Sequence, residues 1–157
     1  MIDRFVVVPA AYVLFLRRQD GADQVLLQLR QNTGYRDGHW AAAAAGHVEK
    51  GESVFAAARR EALEEVGVRL EDLQPVCAMH RTDAADRAAA IDERVDYFFT
   101  SRAWSGTPQI REPDKCAELR WFDLAALPDP VVPHEKVVLE GVAADGVPPI
   151  VTYGFPD

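Results

Sequence analysis

Three glutamates, Glu61, Glu64 and Glu65, stand at positions i, i+3 and i+4 of the segment Arg59-Arg60-Glu61-Ala62-Leu63-Glu64-Glu65-Val66. On a helix these carboxylates leave one face within a single turn. Like charges at this spacing repel, by roughly 0.2–0.5 kcal/mol for an i,i+4 pair on an isolated helix. Arg59 and Arg60 flank the stripe and offset part of the repulsion, whereas a bound cation relieves it directly. The donors are hard oxygens with no paired His or Cys beside them, a set that selects Mg²⁺ or Mn²⁺ over zinc. Mg²⁺ held by a few carboxylates keeps positions open for water and phosphate, so a phosphate-bearing substrate can be recruited through the metal.

The overall charge makes that route necessary. With 17 Lys and Arg against 25 Asp and Glu, the 157-residue chain carries a net charge of -8. Such a chain has no general attraction for nucleic-acid backbones or anionic lipid, and the expected partner is a small phosphorylated molecule. An apolar fraction of 48% and a charged fraction of 27% are those of a globular chain, and the length is that of one domain, 1–157. Cys77 and Cys116 cannot form a disulfide framework, which points to a reducing, cytoplasmic setting, and neither has the surroundings of a nucleophile. The apolar run Val6 to Leu16 is too short to span a membrane, and no small-residue cleavage site follows it. Scarce Lys beside abundant Arg and Ala is the composition of a high-GC bacterial genome.

The carboxylates need a helix, and the residues around them supply one. Ser53 to Val66 has Ser53 as its N-cap and Gly67 as its stop, with Phe55, Ala62, Leu63 and Val66 predicted on the apolar face. Before it, Phe5 to Leu16 and Val25 to Leu29 read as strands joined by a turn at Gly21-Ala22-Asp23. Gln31 to Gly38 is a polar loop and Trp40 to Ala45 a short strand. After it, Val76 to Arg81 and Arg94 to Arg102 read as a strand pair. Gly106, Pro108 and Pro113 mark a long loop, Leu119 to Phe122 a short strand, and Pro133 to Ala144 a closing helix. Hairpin-like strands interrupted by one helix and followed by another predict an α/β fold, a mixed sheet covered on both faces.

The spacing around the carboxylates is more specific than a Glu-rich helix. Gly46, five residues, Glu52, seven residues, then Arg60-Glu61-Ala62-Leu63-Glu64-Glu65-Val66-Gly67-Val68 reproduces the whole Nudix box. Seven fixed residue types coincide by chance in on the order of one in 10⁸ windows. The chain therefore resembles a MutT-like Nudix hydrolase. The one mild departure is Ala62, smaller than the usual Leu or Ile, which affects packing more than chemistry. The resemblance implies a Nudix α/β/α sandwich with a central mixed β-sheet and a loop-helix-loop catalytic motif. It implies hydrolysis of a nucleoside diphosphate linked to another group. Glu61 and Glu65 would be the main metal ligands, with Glu64 beside them and the Gly46 carbonyl as a further ligand. Glu52 would support the site, paired with Arg60. Glu118 resembles the downstream base or metal-binding glutamate of the nucleotide-cleaning members. Glu112 and Asp114 compete for that role, and Glu64 or Glu65 could itself be the base. Mg²⁺ would be the cofactor, with Mn²⁺ as a substitute, and homodimers are common in the family.

Substrate contacts are expected from the loop before the box and from the last helix. Tyr35 or Trp40 could stack on a base, with Arg30 or Arg36 near phosphate. His80, Arg81 and Asp83 come from a strand end, and His134 and Glu135 open the closing helix, where a base could be read. Lys115 could reach a phosphate. The first reading is a nucleoside triphosphate diphosphatase that releases nucleoside monophosphate and pyrophosphate. The alternative is an enzyme for nucleotide sugars, ADP-ribose or dinucleoside polyphosphates. A non-catalytic binding module is disfavoured, because it would have little reason to keep costly clustered carboxylates.

Overall fold

The computed structural model describes residues 3–83, 93–144 and 146–156. In chain order the elements are β1 (Val8–Gln19), β2 (Ala22–Arg30), β3 (Trp40–Ala42), β4 (Ala44–His47), α1 (Val54–Val66), β5 (Arg69–Leu70), β6 (Gln74–Arg81), β7 (Arg94–Ser101), β8 (Trp104–Ser105), β9 (Cys116–Asp123), α2 (Pro133–Ala143) and β10 (Ile150–Tyr153). β1 is the spine. It is apolar over most of its length because both of its faces are covered. Ala10, Tyr12, Leu14 and Leu16 enter one core with Met79, Phe98 and the α2 residues Val138 and Leu139. Ala11, Val13 and Phe15 enter the other with Phe99 and Ala57, Ala58, Ala62 and Val66 of α1. The period-2 alternation of one strand thus places one helix on each face of the sheet, the expected α/β/α sandwich.

The sheet is mixed, with the order β10-β6-β7-β1-β2-β3, β4 also pairing with β1 and β9 with β2. β7 runs parallel to β1 and β10 parallel to β6, and the other pairs in this sheet are antiparallel. One edge of β1 is fully used by β7, from Val8 to Phe15. The other edge is divided: β4 takes Ala10 to Val13, and β2 takes Leu16 to Gln19. Where these partners part, the sheet forks. The expected single strand from Trp40 to Ala45 is accordingly two, β3 and β4, which serve different branches of the fork. The β1–β2 turn is also tighter than expected. Asp20 and Gly21 alone adopt positive φ, and Ala22 and Asp23 already belong to β2.

Helix α1 begins where Ser53 Oγ accepts the Ala56 N–H and ends at Gly67, which is left-handed at φ 74°. Its buried face differs from the one predicted. Phe55 and Leu63 are 42% and 38% exposed, and the face against the sheet consists of Ala57, Ala58, Glu61, Ala62 and Val66. The alanines let the helix lie close on β1 and β4, and that rotation turns Glu61 inward. Phe55 instead lies on the rim against Phe99. Two short elements, β5 and β8, form a separate ribbon, and β10 adds an edge strand that no sequence pattern announced. Among the described residues, no helix is long and apolar enough to cross a membrane.

The cap at Gly67 has no room for a side chain, since an added Cβ would lie 2.8 Å from Arg111 Nη1. Gly67→Ala should cost about 1 kcal/mol, a fall in Tm of roughly 2–4 °C, as followed by circular dichroism.

Candidate active site

The chemistry-bearing helix faces β4 and the loop leading out of it. Arg60 ties loop to helix. Its Nε donates to Glu52 Oε2 at 2.7 Å and its Nη2 to Glu52 Oε1 at 3.0 Å, a two-pronged pair. Nη2 also donates to the His47 carbonyl at 3.0 Å, and Nη1 to Glu61 Oε1 at 2.8 Å and Glu64 Oε2 at 3.2 Å. Arg60 is therefore the hub of the acidic stripe rather than its flank. It holds Glu52 down to a pKa of about 2, and the Glu49 N–H adds to that effect.

Glu61 and Glu65 are in the opposite condition. Burial raises the pKa of Glu61 despite its bond to Arg60, and the charges of Glu64 and Glu112 add to the effect. Burial raises Glu65 well above the ordinary carboxylate value, with Glu61 and Glu112 again adding. The hydrogen bond to Glu65 runs from the Ala45 N–H of β4 to Oε2, at 2.6 Å. Gly46 abuts Glu61 so closely that a Cβ there would overlap its carboxylate, lying 2.8 Å even from the farther oxygen. Glycine is what lets the strand approach this acid.

Among the described residues, no three Asp, Glu, His or Cys side chains converge as a formed metal cage. Glu61 and Glu64 lean on Arg60, and Glu65 leans on the backbone. The donor set nonetheless fits a hard divalent cation. Two inward carboxylates stand beside a glycine strand, and burial first, then repulsion by neighbouring carboxylates, raises the pKa of both.

Two chambers adjoin this face. The smaller, about 270 Å³, takes Glu112, Lys115 and Asn32 into its walls. The larger, about 400 Å³, is lined by Tyr35, Arg81, Arg94, His47 and Glu135 among others. Gln28, Arg30, Ala45 and Glu65 belong to both, so Glu65 stands where the chambers meet, in the fork of the sheet. Arg30 is fixed by bonds to the Tyr35 carbonyl and to Thr33 Oγ1. The carboxylate of Asp37 accepts the Thr33 and Gly34 N–H groups, so the loop carrying Tyr35 is built rather than loose.

The other predicted contacts lie elsewhere. Glu118 shares a sheet face with Leu29, through register pairing on β9, and its carboxylate pairs with Arg120. The neighbouring Leu119 and, across the register shift, Cys116 are the β9 residues that line the smaller chamber. Strand alternation thus points Glu118 away, and Glu112, in the preceding loop, occupies the acidic position beside Glu65. Trp40 is 8% exposed, packed edge-on to Phe122 with Arg120 over its ring, and it lines neither chamber. His134 is 3% exposed, 3.2 Å from the Tyr12 hydroxyl, and burial together with Arg81 and Arg94 holds its pKa well below normal. It lines a small third cavity, about 30 Å³, together with Tyr35, Arg36 and Arg81. Cys77 and Cys116 are buried with raised thiol pKa values, consistent with inert packing. Sequence reasoning missed Arg94 and Asp96. Their signal was the alternation Arg94-Val95-Asp96-Tyr97-Phe98, which puts both charges on the face of a buried Phe.

A family model for the NUDIX domain matches residues 7–142. The chain belongs to the Nudix family. It is similar to the MutT NUDIX hydrolase from Burkholderia pseudomallei, at 31% identity and a TM-score of 0.70, over 84% of this chain and 96% of that one. The mutator MutT protein from Bacillus halodurans shares the fold at 21% identity and a TM-score of 0.70, over 96% and 92% of the two chains. So does the NUDIX domain of Shewanella oneidensis NrtR, a structure complexed with ADP ribose, at 20% identity and a TM-score of 0.68, over 86% and 85%. An isopentenyl-diphosphate Delta-isomerase from Clavibacter sepedonicus is 29% identical over 96 residues, 61% of this chain. The chain spans about half the length of that curated relative, 47%.

Two outcomes follow from this Nudix site. Gly46→Ala must displace the Glu61 carboxylate. Mn²⁺ or Mg²⁺ should raise the Tm of the native chain and leave that of the variant unmoved, as read by differential scanning fluorimetry. Glu135, 4% exposed on the wall of the larger chamber and bonded at Oε1 by the Ala42 N–H, is pushed up to a pKa of about 7 by burial. A raised folded-state pKa means that the native chain binds the extra proton. Stability from Glu135 is therefore present at pH 4.5 and is lost as pH rises to about 7. Glu135→Gln should thus gain on the native chain by about 2–3 kcal/mol between pH 5 and pH 8, measured by urea unfolding at both pH values.

Proposed function

We propose that this chain hydrolyses a phosphoric anhydride bond of a nucleoside diphosphate linked to another group, with a divalent cation as cofactor. Mg²⁺ is the first choice and Mn²⁺ its substitute. The observation that carries the reading is the inward pair Glu61 and Glu65, beside the glycine of β4 and with Glu65 at the meeting point of two chambers. Glu61, Glu65 and the Gly46 carbonyl would hold the cation, with Glu64 at the rim. When bound, a divalent ion supplies neutralisation of phosphate charge and lowers the pKa of a coordinated water.

The chain's own residues do the rest. Arg60 and Glu52 fix the start of α1 against the β4 loop, so that the carboxylates keep their aim. Arg30, immobilised by its loop, directs charge at the shared wall where a phosphate would lie. Glu112 would accept the proton of an attacking water; its place on the smaller chamber's wall with Glu65 supports it over Glu118, whose carboxylate pairs with Arg120. Tyr35 presents a ring at the mouth of the larger chamber for stacking. A nucleoside triphosphate cut to monophosphate and pyrophosphate is the simplest such substrate. A nucleotide conjugate is the second reading, favoured by the presence of a chamber on each side of Glu65 and by the ADP ribose held by the similar Shewanella domain.

The test is release of phosphate or pyrophosphate from a panel of nucleotides and nucleotide sugars, with and without Mg²⁺. Activity should require the metal and fall at least roughly a hundredfold in Glu65→Gln. Unchanged turnover in that variant would overturn the mechanism.

A further inference from the structure

We propose that Arg81 and Arg94, braced by Asp96, form a subsite for an anionic group, a carboxylate or a phosphate, carried by whichever part of the substrate enters the larger chamber. The inference rests on the reading that the diphosphate lies at Glu65. Arg81 and Arg94 face each other directly across the β6–β7 pair and both line the chamber. Like charges in that position destabilise a sheet unless something compensates them. Asp96 supplies one charge: Arg81 Nε donates to its Oδ2, and Arg94 Nη2 lies 3.3 Å from its Oδ1. One fully buried carboxylate thus serves two guanidinium groups, which leaves this trio with one positive charge in excess, while Glu65 and Glu135 stand elsewhere on the same chamber's wall.

Hydrogen bonding between Arg94 and Asp96 is incomplete on both sides. Arg94 Nε is buried with no partner, and so is Asp96 Oδ1, which lies 3.3 Å from Arg94 Nη2. Arg81 spends only its Nε on Asp96, and its terminal nitrogens have no partner among the described residues. Guanidinium groups oriented from behind by a carboxylate, with free N–H groups towards a cavity, suit forked acceptors. A neutral base carbonyl would take one N–H and leave the extra charge unanswered. A carboxylate or phosphate answers both.

The experiment uses two pairs of diphosphates whose members differ by one anion: UDP-glucose with UDP-glucuronate, and NADH with NADPH. Turnover with Mg²⁺ gives kcat/KM, and calorimetry without divalent metal gives Kd, so binding is read even where hydrolysis fails. The anionic member of at least one pair should be preferred roughly 10- to 100-fold, through KM and Kd rather than kcat. The first pair reports a carboxylate and the second a phosphate. Arg94→Gln leaves the Arg81–Asp96 bond in place and should bring that ratio towards one, and Arg81→Gln should do the same provided that its unfolding profile stays cooperative. Equal binding within both pairs, no binding by either anionic compound, or a ratio that survives in Arg94→Gln overturns the subsite. Metal-dependent turnover without an anion preference sinks the subsite and leaves the proposed function standing. A calorimetric preference without turnover of any diphosphate does the reverse.

Discussion

Holding Glu61 and Glu65 away from water on one face of one helix is the constraint around which this molecule is arranged. Each carboxylate loses hydration when it turns towards β4, and their mutual repulsion adds to the cost. The surrounding structure offsets this in small steps. Arg60 lends one N–H to Glu61, and Ala45 lends its backbone N–H to Glu65. Gly46 removes the side chain that would otherwise occupy the same space as the Glu61 carboxylate. The alanine face of α1 belongs to the same solution, because bulkier residues would lift the helix and withdraw the acids from the strand. The Ala62 that departs from the usual box is buried in that face.

The fold carries this constraint from one side of the sheet to the other. β1 gives its odd-numbered residues to the core under α1 and its even-numbered residues to the core under α2. The fork between β4 and the β2–β3 branch then opens a passage between the metal face and the polar floor at Arg81, Arg94 and Glu135. Neither helix alone would produce a cleft with acid at one end and guanidinium groups at the other. The divided edge of a single long strand does.

Much of this was legible in the residues. Local signals located α1, because an N-cap serine and a left-handed glycine act within a few residues of the helix ends. The Glu52–Arg60 pair was likewise expected, since the box fixes its spacing and the loop closes over it. What the sequence hid is set by register and by which face turns inward. The apolar face of α1 was misjudged because a buried acid displaced Leu63 from it. Trp40 looked like a reading head for a base, yet strand pairing buries it in the core, while His134 is nearly enclosed against Tyr12 and reaches a small cavity beside Tyr35. Glu118 failed through a period-2 effect, because one position along β9 decides between the cleft and the opposite face. The arginine pair opposite Asp96 emerges only when β6 and β7 are set side by side.

The run Ala41-Ala42-Ala43-Ala44-Ala45-Gly46 forms both branches of the fork, and Ala41, Ala42, Ala43, Ala45 and Gly46 touch one chamber or the other. With almost nothing beyond Cβ, this stretch brings its main chain to the chamber walls, where the Gln28, Glu65 and Glu135 side chains bond to it. Its small residues also behave as adjustable spacers. A single methyl group added at Ala41 or Ala43 would shrink one compartment without replacing any of the acids, Arg60 or the guanidinium floor. Relatives built on this frame can therefore diverge in what they admit by trading alanine for valine or serine here, long before any charged residue has to change.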